Sequence, residues 1–124
     1  MVLDASALLA LVFNEPHAPW VLEQMELGRD SLIMGTVNLA EVLILLRDRQ
    51  PSKYATIERR ILKLPIKWIA PSVEHAQIVS SARIRFSIHL GHCFAYALAR
   101  TEDQPLLTLD GNFKKTDLDL IFPD

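Results

Sequence analysis

An α/β fold, with a central parallel sheet of about four or five strands and helices on both faces, is what the chain predicts. Three observations carry it. Short apolar runs alternate with longer segments of helical period, which points to a parallel sheet with helices on both faces. Proline and glycine fall singly between those segments, where turns belong. The 124 residues, 50% of them hydrophobic, suffice for one core, so a single domain over 1–124 is expected.

Taken in order, Met1 to Leu3 reads as a strand and Ala5 to Phe13 as a buried helix. Pro16 and Pro19 open a second helix that Gly28 can close. Ser31 to Met34 is a short strand, and Thr36 is placed to cap a helix over Val37 to Asp48. A helix over Lys53 to Leu64 shows apolar positions at Tyr54, Ile57, Ile61 and Leu64, and Pro65 stops it. Ile66 to Ile69 is strand-like. Pro71 and Ser72 begin a helix that ends near Phe86. Gly91 precedes a helix over His92 to Glu102, and Leu106 to Leu109 and Leu118 to Phe122 supply the last two strands.

Charge and cysteine content exclude several classes. The formal net charge of −2 rules out a general attraction to nucleic acid, so any such contact must be local. The basic run Arg47, Arg49, Lys53, Arg59, Arg60, Lys63 and Lys67 is either a solvated helix face or a shelf for phosphates or an acidic partner. Cys93 stands alone, which rules out an intrachain disulfide and suits a reducing, cytoplasmic setting. No apolar run approaches the roughly 20 residues of a spanning helix, and the apolar start carries Asp4 without a basic leader, so neither membrane nor secretion is expected.

In a parallel α/β sheet, functional groups gather beyond the carboxyl ends of the strands. Asp4 and Asp110 each follow a predicted strand and should meet at that edge. Two carboxylates in one cleft repel, and a shared proton or a bound cation resolves the repulsion. Taken singly each is ordinary, since Asp4 could cap a helix and Asp110-Gly111 is a common turn pair. Glu41 says more, because it interrupts an apolar helix and a buried carboxylate needs water, a partner or a metal. Asn38, Glu41 and Asp48 could also be no more than the wet stripe of that helix.

Four blocks, VLDASALLALVFNEP, TVNLAEV, LGHCFAYALA and PLLTLDGNFKKTDL, resemble in order and spacing those of bacterial PIN-domain proteins, especially the VapC-type toxins of type II toxin–antitoxin pairs. The resemblance spans essentially the whole chain. It implies a metal-dependent endoribonuclease, using Mg2+ or Mn2+, that cuts structured RNA such as tRNA or rRNA loops. It implies Asp4, Glu41, His92 and Asp110 as the catalytic set, with Asp4, His92 and Asp110 as metal ligands. Ser6, Asn38, Thr108, Asn112 and Asp117 would support the pocket, and Arg47, Arg49, Arg59 and Arg60 would hold RNA. A cognate antitoxin and a homodimer are implied as partners. Trp20, Leu22, Met25 and Leu27 give the early helices apolar surface that either partner, or ordinary core packing, would cover.

One position departs from the family pattern. Where Gly-Asp is expected the chain reads Gly91-His92, exchanging a carboxylate for an imidazole. A borderline nitrogen ligand predicts weaker Mg2+ binding, better tolerance of Mn2+, and an impaired nuclease. The alternative is a catalytically silent PIN-like module that keeps antitoxin or RNA binding. Other hydrolases fit poorly. His92 and Cys93 are adjacent on a helix and point about 100° apart, Ser6 lacks a G-x-S-x-G turn, and no histidine spacing matches a zinc site. A phosphatase with Asp4 as nucleophile would want a second Asp where Ser6 stands. His17, His75 and His89 are read as core or surface residues.

Overall fold

A computed structural model describes residues 1–124 and shows a parallel sheet in the order β3-β2-β1-β4-β5. The strands are β1 (Val2–Leu3), β2 (Leu32–Gly35), β3 (Ile66–Ile69), β4 (Leu106–Leu107) and β5 (Leu120–Ile121). Six α-helices connect them: α1 (Ala5–Val12), α2 (Ala18–Leu27), α3 (Thr36–Arg49), α4 (Tyr54–Leu62), α5 (Val73–Phe86) and α6 (Leu90–Glu102). The expected class and strand number therefore hold.

Apart from exposed Lys67 on the edge strand β3, the strands are apolar because their side chains alternate between two cores. Leu3, Leu32, Met34 and Leu107 pack into one core with residues of α1, α2, α3 and α4. Val2 and Leu106 pack on the other face against Ala95, Leu98 and Ala99 of α6 and Phe113. A third cluster joins α5 to α6 through Val79, Ala82, Ile88, Cys93 and Tyr96. Burial of its thiol pushes Cys93 up in pKa, away from reactivity.

From β1 the chain lays down β2 and β3 on one side, then returns to add β4 and β5 on the other. The sheet thus changes direction between β1 and β4, which are paired with Leu3 opposite Leu107. Functional groups in parallel sheets gather beyond the carboxyl ends of two such strands. Asp4 and Thr108, the next residue of each strand, stand at that edge and are packed there, 1% and 0% exposed.

Several boundaries differ from expectation. Thr36 lies inside α3 rather than capping it, because Gly35 already holds the extended cap conformation. The segment expected to be helical from Lys53 begins with a 3-10 turn, Pro51–Lys53, and only then becomes α4. The most consequential shift is in α6, which starts at Leu90 with His89 as its cap, so Gly91 and His92 are already inside the first turn. A histidine ring nitrogen, not a hydroxyl or carboxylate, accepts the cap hydrogen bond there.

Candidate acidic site at the sheet edge

Asp4 is almost fully buried, at 1% exposure, and caps α1. Its Oδ2 accepts hydrogen bonds from Ser6 Oγ at 2.8 Å and Thr108 Oγ1 at 2.9 Å. The same two hydroxyls accept from the backbone, Ser6 Oγ from Leu109 N–H and Thr108 Oγ1 from Asp110 N–H. This network clamps the end of β1 to the chain leaving β4. The capping role and the place in the pocket coincide in one residue. Its other oxygen, Oδ1, is buried with no hydrogen-bond partner.

Asp110 Oδ1 accepts from Asn112 N–H, and Oδ2 lies 2.7 Å from His92 Nε2. Partial burial would raise the Asp110 pKa. The Asn112 N–H, then the hydrogen bond and charge of His92, outweigh it and hold the carboxyl below its ordinary value. An ionised Asp110 can only accept, so Nε2 carries the proton between them. His92 Nδ1 then faces Asp4 Oδ1 at 3.8 Å. The imidazole, 7% exposed, spans the two carboxylates and rests against the Phe113 ring at 4.4 Å.

Glu41 comes from the α3 side. Asn38, 1% exposed, donates through Nδ2 to Glu41 Oε1 at 2.7 Å and to the Gly91 carbonyl at 3.0 Å. That bond ties α3 to the first turn of α6. Gly91 is what allows it: a Cβ there would come within 2.6 Å of the Glu41 carboxylate carbon. Sequence reasoning saw Gly91 only as a helix start. Its neighbour is three-dimensional and leaves no local signal.

The sequence-named residues divide accordingly. Asp4, Ser6, His92, Thr108 and Asp110 form one bonded cluster, joined by Asn112 through its backbone N–H. Asn38 and Glu41 flank it through Gly91. Asp117 does not join and is a correction: its Oδ1 accepts from Tyr96 O–H at 2.7 Å and its Oδ2 pairs with Arg85 at 3.5 Å. The Tyr96 bond is the leading cause of its lowered pKa, and Tyr96 itself is raised, first by burial and then by that bond. The basic shelf does not adjoin the pocket either. Arg47 and Arg49 lie about 9 and 12 Å along α3 from Glu41 by helix rise. Arg59 and Arg60, on α4, are exposed near the amino end of β3.

Whether a divalent ion fits can be judged from the donors themselves. Asp4 Oδ1, buried and unpartnered, is the sort of atom a cation satisfies. The ionisable side chain facing it, however, is the His92 ring, whose Nδ1 lies 3.8 Å away, and both Asp110 oxygens are engaged by His92 and Asn112. No three His, Cys, Asp or Glu side chains converge on one point. Mg2+ wants a near-octahedral shell of oxygens. The side chains as arranged do not fit it.

Carboxylates gathered at the switch point of a parallel sheet suit several α/β families, and the sequence decides among them: the chain belongs to the PIN-domain family, whose profile matches residues 1–118. Its kinship within the family is of the VapC type. It is 34% identical to VapC ribonuclease Mb2004c of Mycobacterium bovis and to Ribonuclease VapC36 of Mycobacterium tuberculosis, over 96% of this chain and 91% of theirs. Among solved structures it resembles VapBC2 of Rickettsia felis bound to a promoter DNA fragment, with TM-score 0.82, 16% identity, and 99% and 98% of the two chains covered. It also resembles VapC20 of Mycobacterium tuberculosis, a sarcin-ricin-loop-cleaving toxin, with TM-score 0.79, 14% identity, and 94% and 95% covered. No helix is long and apolar enough to cross a membrane.

Proposed function

We propose that this chain is the endoribonuclease toxin of a toxin–antitoxin pair, acting on exposed loops of structured RNA, with its nuclease activity impaired by His92. The observation that carries this reading is the meeting of Asp4, His92 and Asp110 at the carboxyl edge of the sheet, in a chain that aligns nearly end to end with VapC ribonucleases. Asp4, Glu41, His92 and Asp110 are the proposed catalytic set.

Each residue has a task that its surroundings support. Ser6 and Thr108 fix the Asp4 carboxylate so that Oδ1 alone is left to bind. Asn38 holds Glu41 against Gly91, and Asn112 steadies Asp110. His92 keeps the two strand-end carboxylates apart and takes up an acceptor of Asp110. Mg2+ or Mn2+ is the proposed cofactor on the strength of the family likeness; because the arrangement with His92 does not fit Mg2+, binding would be weak, with Mn2+ better tolerated since imidazole is a borderline ligand. The proposed partners are a cognate antitoxin and a second copy of the chain. Leu22 and Leu27 on α2, 52% and 77% exposed, offer apolar surface for such contacts, whereas Met25 is core.

His92→Asp tests the reading. Mn2+ and Mg2+ affinity by titration calorimetry and cleavage of structured RNA should both rise by at least ~10-fold, the scale on which even an outer-shell change acts. Equal activity of the two proteins at equal Mg2+ overturns the impairment. If neither protein cuts any structured RNA with either metal, while RNA or antitoxin binding persists, the silent binding module replaces the nuclease.

A further inference from the structure

Apart from the cap bond of its Nδ1, the His89 ring is not used by anything described so far. It is exposed beside the acidic cluster and packs on buried His92 with ring centroids 3.6 Å apart and planes 31° apart. His92 in turn contacts buried Phe113, so three rings touch in series from the core to solvent. His89 Nδ1 accepts the His92 N–H at 3.3 Å, which fixes the ring's orientation and leaves Nε2 without a protein partner. Leu90, 61% exposed, continues the uncharged surface beside it.

We infer that the outer face of His89 is a stacking platform for an unpaired nucleobase next to the acidic cluster. This rests on the RNA reading above and deepens it. Asp4, Glu41 and Asp110 at the sheet edge repel the phosphates of any strand that approaches, and the arginines of the α3 and α4 shelf lie at the other end of α3. Lys114 and Lys115, exposed on the turn after Asp110, can offset that repulsion but give no grip on a base, which needs an apolar or aromatic face. Single-stranded RNA is commonly held by stacking bases on aromatic side chains, a contact indifferent to base identity. A ring already immobilised by its neighbours loses little freedom on binding a base. The row Phe113, His92, His89 would be lengthened by one ring, bringing the adjoining phosphodiester to the edge of the Asp4 and Asp110 cluster.

The test uses the whole protein, a fluorescein-labelled RNA stem–loop with 2′-O-methyl riboses that resists cleavage, and fluorescence anisotropy over a range of salt. His89→Asn retains an acceptor for the α6 cap but removes the ring. His89→Phe retains the stacking face but loses the cap. His89→Asn should weaken binding on the order of 5- to 100-fold, the effect of losing one stacked base. The salt slope should not change, because stacking releases no counterions. His89→Phe should bind nearly as the parent does, even if it melts at lower temperature. The reverse pattern, with Asn binding normally and Phe failing, makes His89 only a cap and overturns the inference. Normal RNA binding by His89→Asn together with weakened antitoxin binding assigns the ring to the antitoxin and also overturns it. If the parent protein binds no RNA at any salt, the RNA reading falls and takes this inference with it.

Discussion

The two ends of α3 belong to different chemical worlds. Near its start, Asn38 and Glu41 stand beside a set of short, directional hydrogen bonds that leaves two buried oxygens, Asp4 Oδ1 and Asn38 Oδ1, without a partner. At its end, Arg47 and Arg49 lie over the Tyr54 and Phe13 rings at 3.8 and 4.8 Å and form no carboxylate ion pair. The acidic end is buried and its geometry fixed. The basic end is exposed, held by the diffuse attraction of cation for π-face. Burial makes the difference: a polar group removed from water costs free energy unless each bond is remade, whereas an exposed arginine is solvated in any pose. Position at the acidic end therefore carries chemical consequence. At the basic end, only the sum of charge does.

Substitutions at the two ends should separate accordingly. The largest effect is expected from Phe113→Ala. This side chain is fully buried and supports the His92 ring, and its loss should cost about 3–5 kcal/mol in urea unfolding. A cost under about 1 kcal/mol would mean the acidic edge does not depend on that core. Next is Thr108→Val, which keeps volume but strips a donor from Asp4 and an acceptor from the Asp110 N–H. It should destabilise by about 1–3 kcal/mol. If stability is unchanged, the hydroxyl network is not what fixes Asp4. The smallest is Arg47→Ala, where loss of an exposed cation–π contact should cost about 0.5–1 kcal/mol. RNA affinity should drop alike for every sequence tested, with a shallower salt slope if the shelf holds phosphates. A base-specific change there would erase the contrast between the ends.

Much of this was legible in the chain. Largely apolar strands announced a sheet covered on both faces, and the alternation of Val2 with Leu3 between two cores is the reason for the pattern. Asp4 and Asp110 could be placed at one edge because parallel strands must end on the same side. The failures share a cause. Asp117 was grouped with the site because it lies in the fourth family-like block, yet Tyr96, on α6, captures it. The start of α6 was missed because a histidine served as its cap, and with it went the stacked position of His89.

By itself, then, the sequence determined the layer architecture, the edge at which chemistry gathers, and the exchange of a carboxylate for an imidazole at His92. Periodicity and residue chemistry are local properties and carry the first two conclusions; the third is read against the pattern of the resembling family. Only the tertiary structure decided that His92 bridges Asp110 toward Asp4, that Gly91 makes room for Glu41, and that the arginine shelf stands apart from the pocket. These depend on contacts between segments distant in the chain. Which of several possible partners a polar side chain takes is settled by packing, at the scale of an ångström, after the elements have docked.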